Sequence, residues 1–179
     1  MRTALLVVVT LAIAACSSST ADDATSAAVV TTSTTIATSD GTGGGTTEAV
    51  DIPEQLADHD LDMVVVGDRL MLLAIADSPA LRAQGLKQVS DLGDLDGMLF
   101  YWRHEASGTF WMKDTVIPLD IVWFNEDGTY AGRASMQPCT VEPCTEYSPD
   151  GDPDYRFAIE AAPGDLDWID ESTRIVYSD

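Results

Sequence analysis

The chain has 179 residues, 45% of them apolar, with 9 Lys+Arg against 30 Asp+Glu and a formal net charge of −21. That length holds one domain of ordinary size plus an extension, and not two full domains. The charge excludes a nucleic-acid binder, which needs a Lys/Arg surface to displace counterions, and equally excludes electrostatic docking on anionic lipid.

Residues 1–15 (MRTALLVVVTLAIAA) read as a signal peptide: Arg2 is a minimal positive start, and Ala4–Ala15 is almost wholly apolar. The run is too short for the roughly 20 apolar residues of a membrane span. It ends Ile13-Ala14-Ala15-Cys16, which resembles the lipobox of bacterial lipoproteins. That resemblance implies a lipid-modified Cys16 at the mature N-terminus and a protein anchored to the cell membrane on its outer side. Residues 16–60 then read as a tether. Positions 17–47 contain 6 Ser, 10 Thr and 4 Gly, with no aromatic residue, Lys or Arg. Such a stretch has too little apolar area to offset its chain entropy.

From Leu61 to the end, short apolar runs alternate with turn residues. Met63–Val66 and Arg69–Ala76 flank Gly67-Asp68, a hairpin signal. Ser78-Pro79 starts a short helix over Pro79–Gln84, and Gly85 stops it. Residues 87–97 read as a loop. Met98–Trp102 and Thr109–Asp114 are predicted strands around a turn at His104–Gly108. Leu119–Phe124 and Thr129–Met136 flank the turn Asn125–Gly128. Tyr155–Glu160 alternates large apolar residues with Arg, Ala and Glu, the period of a half-buried strand. Asp165–Trp168 reads as a helical turn and Arg174–Tyr177 as a last strand. The pattern predicts an all-β single domain, an antiparallel sandwich of jelly-roll type, over residues 61–179.

The segment Phe110-Trp111-Met112-Lys113-Asp114-Thr115-Val116-Ile117-Pro118-Leu119-Asp120-Ile121 resembles the F-W-M-K-N-T-x-x-P-L-D-I signature of the bacterial and archaeal family called domain of unknown function 192. Arg82-Ala83-Gln84-Gly85-Leu86 is similar to its R-x-x-G-L, Gly97-Met98-Leu99-Phe100 to its G-M-L-F, and Pro138-Cys139 with Pro143-Cys144 to its Pro-Cys pair. The resemblance implies a mostly β, jelly-roll-like domain, often exported, with no established activity. Asp114 stands where the family has Asn, and Lys87 and Val89 replace its Met and Arg.

Lys113, Asp114 and Asp120 lie among Phe, Trp, Met, Ile and Leu, where charges are costly unless paired. Two readings stand. They form a ligand-binding cluster at a pocket mouth, with Trp111 or Trp123 as a stacking wall and Arg82 as a further partner; or Lys113 and Asp120 form a structural bridge across the bend at Pro118. Cys139 and Cys144 remain once Cys16 is assigned to lipid, and in an exported chain they read as a disulfide. With only His59 and His104, a zinc site or a Ser-His triad is not buildable, and no cofactor is expected. Asp150, Asp152 and Asp154 alternate like weak Ca²⁺ ligands, but Tyr155 and Ala161 occupy the positions where a calcium loop has Gly and an acid.

Three functions compete: a non-catalytic domain binding a small ligand or envelope protein, a hydrolase using two of Asp114, Asp120 and Glu160, and a structural domain acting through an apolar face with Tyr101 and Trp102. Its expected membrane contact is the lipid alone, and a monomer is expected.

Overall fold

Local chemistry accounts for the first elements. The computed structural model describes residues 49–151 and 154–178; the signal segment, Cys16, most of the tether and Asp152 lie outside them. A single 3-10 turn at Glu54–Leu56 leads into β1 (Asp60–Val66), which pairs with β2 (Arg69–Ala76) across Gly67-Asp68. Helix α1 (Pro79–Gln84) follows, with Ser78 Oγ accepting from the Leu81 N–H at 3.3 Å and Pro79 in the first turn. Gly85 ends it with a φ of +52°, a conformation that glycine adopts without strain.

The remaining strands are β3 (Gly97–Ser107), β4 (Phe110–Trp111), β5 (Leu119–Phe124), β6 (Tyr130–Met136), β7 (Glu146–Tyr147), β8 (Asp154–Ala161) and β9 (Ile175–Val176). Seven form one curled sheet in the order β6-β5-β8-β3-β2-β1-β9, and β4 pairs with β7 in a second, small sheet. The all-β class holds, with two departures from the expected course. First, β2 and β3 run parallel, because the chain between them crosses over through α1 and a long loop and does not turn back in a hairpin. Second, there is no turn at His104–Gly108. Strand β3 continues to Ser107, and its ladder with β8 breaks after Tyr101 and resumes at Ala106. No Gly or Pro interrupts Trp102–Ser107, so a bulge takes up the mismatch that a turn was expected to absorb.

Both faces of the sheet are covered. One carries Leu73, Leu99, Val122, Phe124 and Ile159 beneath Leu166 and Ile169. The other carries Met98, Phe100, Ile121, Trp123 and Ala158 beneath Leu56, Leu86, Val89 and Met112. Every residue of β5 is buried, which is why LDIVWF shows no polar alternation. Cys139 and Cys144 are joined in a disulfide with their Cα atoms 5.4 Å apart.

Candidate functional site

The face that holds Met98, Phe100 and Trp123 is not completely filled. Arg82 to Lys87, Phe100, Trp102, Thr109, Phe110, Trp111, Thr115, Tyr155 and Glu160 enclose a half-open cavity of about 130 Å³. Two glycines set its walls. A Cβ on Gly85 would stand 3.4 Å from the Phe100 ring, so the chain leaving α1 lies directly on that ring. A Cβ on Gly97 would meet the Glu160 carbonyl oxygen at 2.2 Å, so β3 and β8 approach closely only because position 97 has no side chain.

The walls are aromatic and mutually braced. Phe110 meets Phe100 edge-on at 5.1 Å between centroids and Trp102 at 6.2 Å, while Trp102 meets Tyr155 at 5.1 Å. Such contacts hold flat rings in fixed orientations. The Arg82 guanidinium lies 4.9 Å over Trp102, and its Nη1 donates to the carbonyl oxygens of Asp77 and Tyr101. Its Nε and Nη2 have no partner among the described residues. Burial pushes the Tyr155 hydroxyl up to about 12, with Arg82 acting the other way.

Glu160 is the outlier. It is 5% exposed, sits opposite Met98 and Ile121 in the ladders of β3 and β5, and lines the cavity. Its carboxyl has no hydrogen-bond or ion-pair partner among the described residues. Burial alone pushes that carboxyl up to about 8. An isolated carboxylate in an apolar site gives up its charge when nothing pairs with it.

Of the sequence-derived candidates, Arg82 and Trp111 line this cavity, and Lys113, Asp114 and Asp120 do not. The expected Lys113–Asp120 bridge is absent. Lys113 Nζ instead pairs with Glu142 Oε1 at 2.7 Å, in the disulfide loop, and lies 5.7 Å from the Trp111 ring. That ion pair raises the Lys113 pKa and lowers that of Glu142. Asp120 is 5% exposed and accepts from Ser135 Oγ at 2.6 Å and the Gly164 N–H at 2.7 Å. Strand alternation is the reason: Asp120 and Ile121 point to opposite faces, so Asp120 faces away from Glu160 and ties β5 to β6 and to the loop after β8. Asp114 has a φ of +64°, and its carbonyl accepts from Gln88 N and Nε2 at 3.0 and 2.9 Å. Asp and Asn are the residues besides Gly that tolerate this conformation, which accounts for the exchange of one for the other here.

These contacts fix the stability roles of Lys113 and Asp120. Lys113→Met should leave the melting temperature close to wild type, because the pair with Glu142 is exposed and water replaces it. Asp120→Ala should cost about 1–2 kcal/mol by denaturant titration, since it removes the acceptor of the Ser135 hydroxyl and the Gly164 N–H, both on residues that water reaches, and vacates the space of a buried carboxylate. An Asp120→Ala midpoint equal to wild type would refute that assignment.

The carboxylate pair needed for the hydrolase reading does not form. Asp114 is exposed outside the cavity and Asp120 faces the other side of the sheet, leaving Glu160 alone. Nor is there an exposed face with Tyr101 and Trp102. Tyr101 is buried and stacked on Phe157 at 5.7 Å, and Trp102 is a half-buried cavity wall. Trp123 is fully buried and touches Phe110 edge-on at 6.0 Å, so it belongs to the core and is no stacking wall. Among the described residues no group of three His, Cys, Asp or Glu is arranged to hold a metal ion; Asp150 is exposed and Asp152 lies outside the described residues. Sequence reasoning missed Trp102, Phe110 and Tyr155 as walls. The available signal was Glu160 directly after the apolar run Phe157-Ala158-Ile159.

The molecule is thus a β domain with a half-open aromatic cavity, and segments far apart in sequence meet there: Arg82, Gly85 and Leu86; Phe100; Phe110, Trp111 and Thr115. The chain belongs to the domain of unknown function 192 family (DUF192, "Uncharacterized ACR"), whose model matches residues 63–176. Two crystal structures share the fold. A protein of unknown function from Novosphingobium aromaticivorans is 25% identical with a TM-score of 0.59, covering 73% of this chain and 94% of its own. A candidate transcription regulator from Sinorhizobium meliloti is 21% identical with a TM-score of 0.56, covering 66% and 94%. No curated protein matches the chain.

Proposed function

We propose that this is a non-catalytic domain that binds a small molecule outside the cytoplasm, tethered to the cell membrane through lipid on Cys16. The observation that carries the binding is Glu160: a buried carboxyl without a partner among the described residues, at an aromatic-walled opening, costs stability that a structural role does not explain. Catalysis by paired carboxylates needs two convergent groups, and the cavity presents one. The Cys139–Cys144 disulfide supports an oxidising compartment, and the Ala-Ala-Cys motif with its Ser/Thr-rich tract supports the anchor. A DNA-binding role of the kind the Sinorhizobium protein's description suggests is not proposed, because two lysines and seven arginines against thirty acids build no basic surface.

A thermal-shift screen of the full chain against amines, small acids, sugars and divalent metals tests the binding. A saturable rise that disappears in Trp102→Ala is expected; no shift with any compound would overturn it. For the anchor, wild-type protein should sediment with membranes and Cys16→Ala should not. Soluble wild-type protein would refute it.

A further inference from the structure

We propose that the ligand is a small zwitterion, its ammonium group seated on Glu160 inside the aromatic walls and its acid group held at the opening by Arg82 and Lys87. This rests on the binding reading above and gives it a ligand class. Three observations converge on it.

The first is the charge pattern. Among the described residues, the charged side chains lining the cavity are Arg82, Lys87 and Glu160. Arg82 and Lys87 reach the cavity from α1 and the turn after it and Glu160 from β8, and among the described residues no ion pair joins Glu160 to either cation. Arg82 Nε and Nη2 have no hydrogen-bond partner among the described residues. Lys87 Nζ makes one bond, to the Ala83 carbonyl at 2.7 Å, and has further protons to donate. A ligand with one charge would satisfy one end and leave the other unanswered.

The second is the wall. Phe100, Trp102, Phe110 and Tyr155 line the same cavity as the buried carboxyl and pack edge-on against one another. Ring faces attract an alkylated ammonium, and a carboxylate behind them supplies the counter-charge. The third is size. About 130 Å³ is well below the roughly 300–1,000 Å³ of pockets for drug- or cofactor-sized ligands, which leaves room for a molecule of amino-acid size.

Binding is coupled to a proton. The charged and titratable groups that share the cavity lining with Glu160 are Arg82 and Lys87, from α1 and the turn after it, and Tyr155, from its own strand. The neighbouring residues of β3 and β5 (Met98, Phe100, Ile121 and Trp123) do not titrate, and Asp120 faces the other side. With the cavity empty the carboxyl is protonated at neutral pH. When the ammonium enters, the Glu160 O–H bond breaks, the proton leaves to solvent and the carboxylate pairs with the cation. Affinity therefore rises with pH up to about 8 and levels off above it.

The test is calorimetric titration of the full chain with glycine betaine, with its uncharged-head isostere tert-butylacetate, and with choline. Betaine should bind, with affinity rising up to tenfold per pH unit between pH 6 and 8, about one proton released at pH 7, and little above pH 9. At pH 8.5, tert-butylacetate should bind at least tenfold more weakly. Glu160→Gln should lower betaine affinity at least tenfold and erase its pH dependence while the circular dichroism spectrum stays that of wild type. Arg82→Gln should weaken betaine and leave choline unchanged. Equal binding of betaine and tert-butylacetate, or pH-independent betaine binding, would overturn the proposal. Binding of sugars or simple acids but of no ammonium compound would overturn the ligand class and keep the cavity as a binding site. Absence of every binder would overturn both.

Discussion

At pH 8.5, Glu160→Gln should make the domain more stable than wild type by about 3 kcal/mol, while at pH 5 the two should differ little. The carboxyl titrates at about 8 in the folded chain against an ordinary 4.5, so between those values the folded state binds a proton that the unfolded state has lost. Stability then falls as pH rises from 4.5 through 8. The full gap corresponds to roughly 4–5 kcal/mol, and local relaxation around the new charge reduces it. Glutamine keeps the shape without the ionisation. Denaturant titrations of both proteins at the two pH values check this, and parallel pH profiles would refute it. His59 shapes the acid side. The residue is 7% exposed, its ring nitrogens make no well-formed hydrogen bond among the described residues, and burial lowers its pKa against the opposing pull of the Leu56 backbone, Asp58 and Asp77. Below pH 6.5 the unfolded chain gains a proton there that the folded one resists, so stability falls again as pH drops. His59→Phe should flatten that flank alone.

Gly97→Ala should cost at least about 3 kcal/mol, enough to yield little folded protein. Its Cβ would lie 2.2 Å from the Glu160 carbonyl oxygen and 3.2 Å from the Ala161 Cβ. The first obstacle is backbone and cannot rotate away, so β3 and β8 must part at the position that carries the buried carboxyl. Gly151→Ala is the matched control. Gly151 also has a positive φ, +89°, but among the described residues nothing stands within 4 Å of its Cβ position. It should lose only about 1 kcal/mol, the conformational cost alone. Thermal melts of the two variants side by side separate close approach from backbone strain; equal losses would show that packing against β8 is not what position 97 serves.

The site was half legible for a physical reason. Arg82 and Trp111 stand out in sequence because they sit in distinctive motifs, and they do reach the cavity. Lys113 and Asp120 stand out equally and do not, because proximity in sequence says nothing about which face of a sheet a side chain takes once the chain bends at Pro118. Glu160 looked like the solvent side of a half-buried strand. It is buried because this sheet is covered on both faces, a property of the layers above it and not of the strand itself.

The sequence by itself determined what depends on neighbours a few residues apart. Those features are the β1–β2 hairpin at Gly67-Asp68, the cap, Pro and Gly that bound α1, the β5–β6 turn, and the all-β class. Tertiary structure alone decided the parallel β2–β3 pairing, the bulge that carries β3 through to Ser107, the separation of Asp120 from Lys113, and the burial of Glu160 on the lining of an aromatic-walled cavity. Turns and caps are paid for within one or two peptide units, whereas the burial of a charge is set by every layer that closes over it.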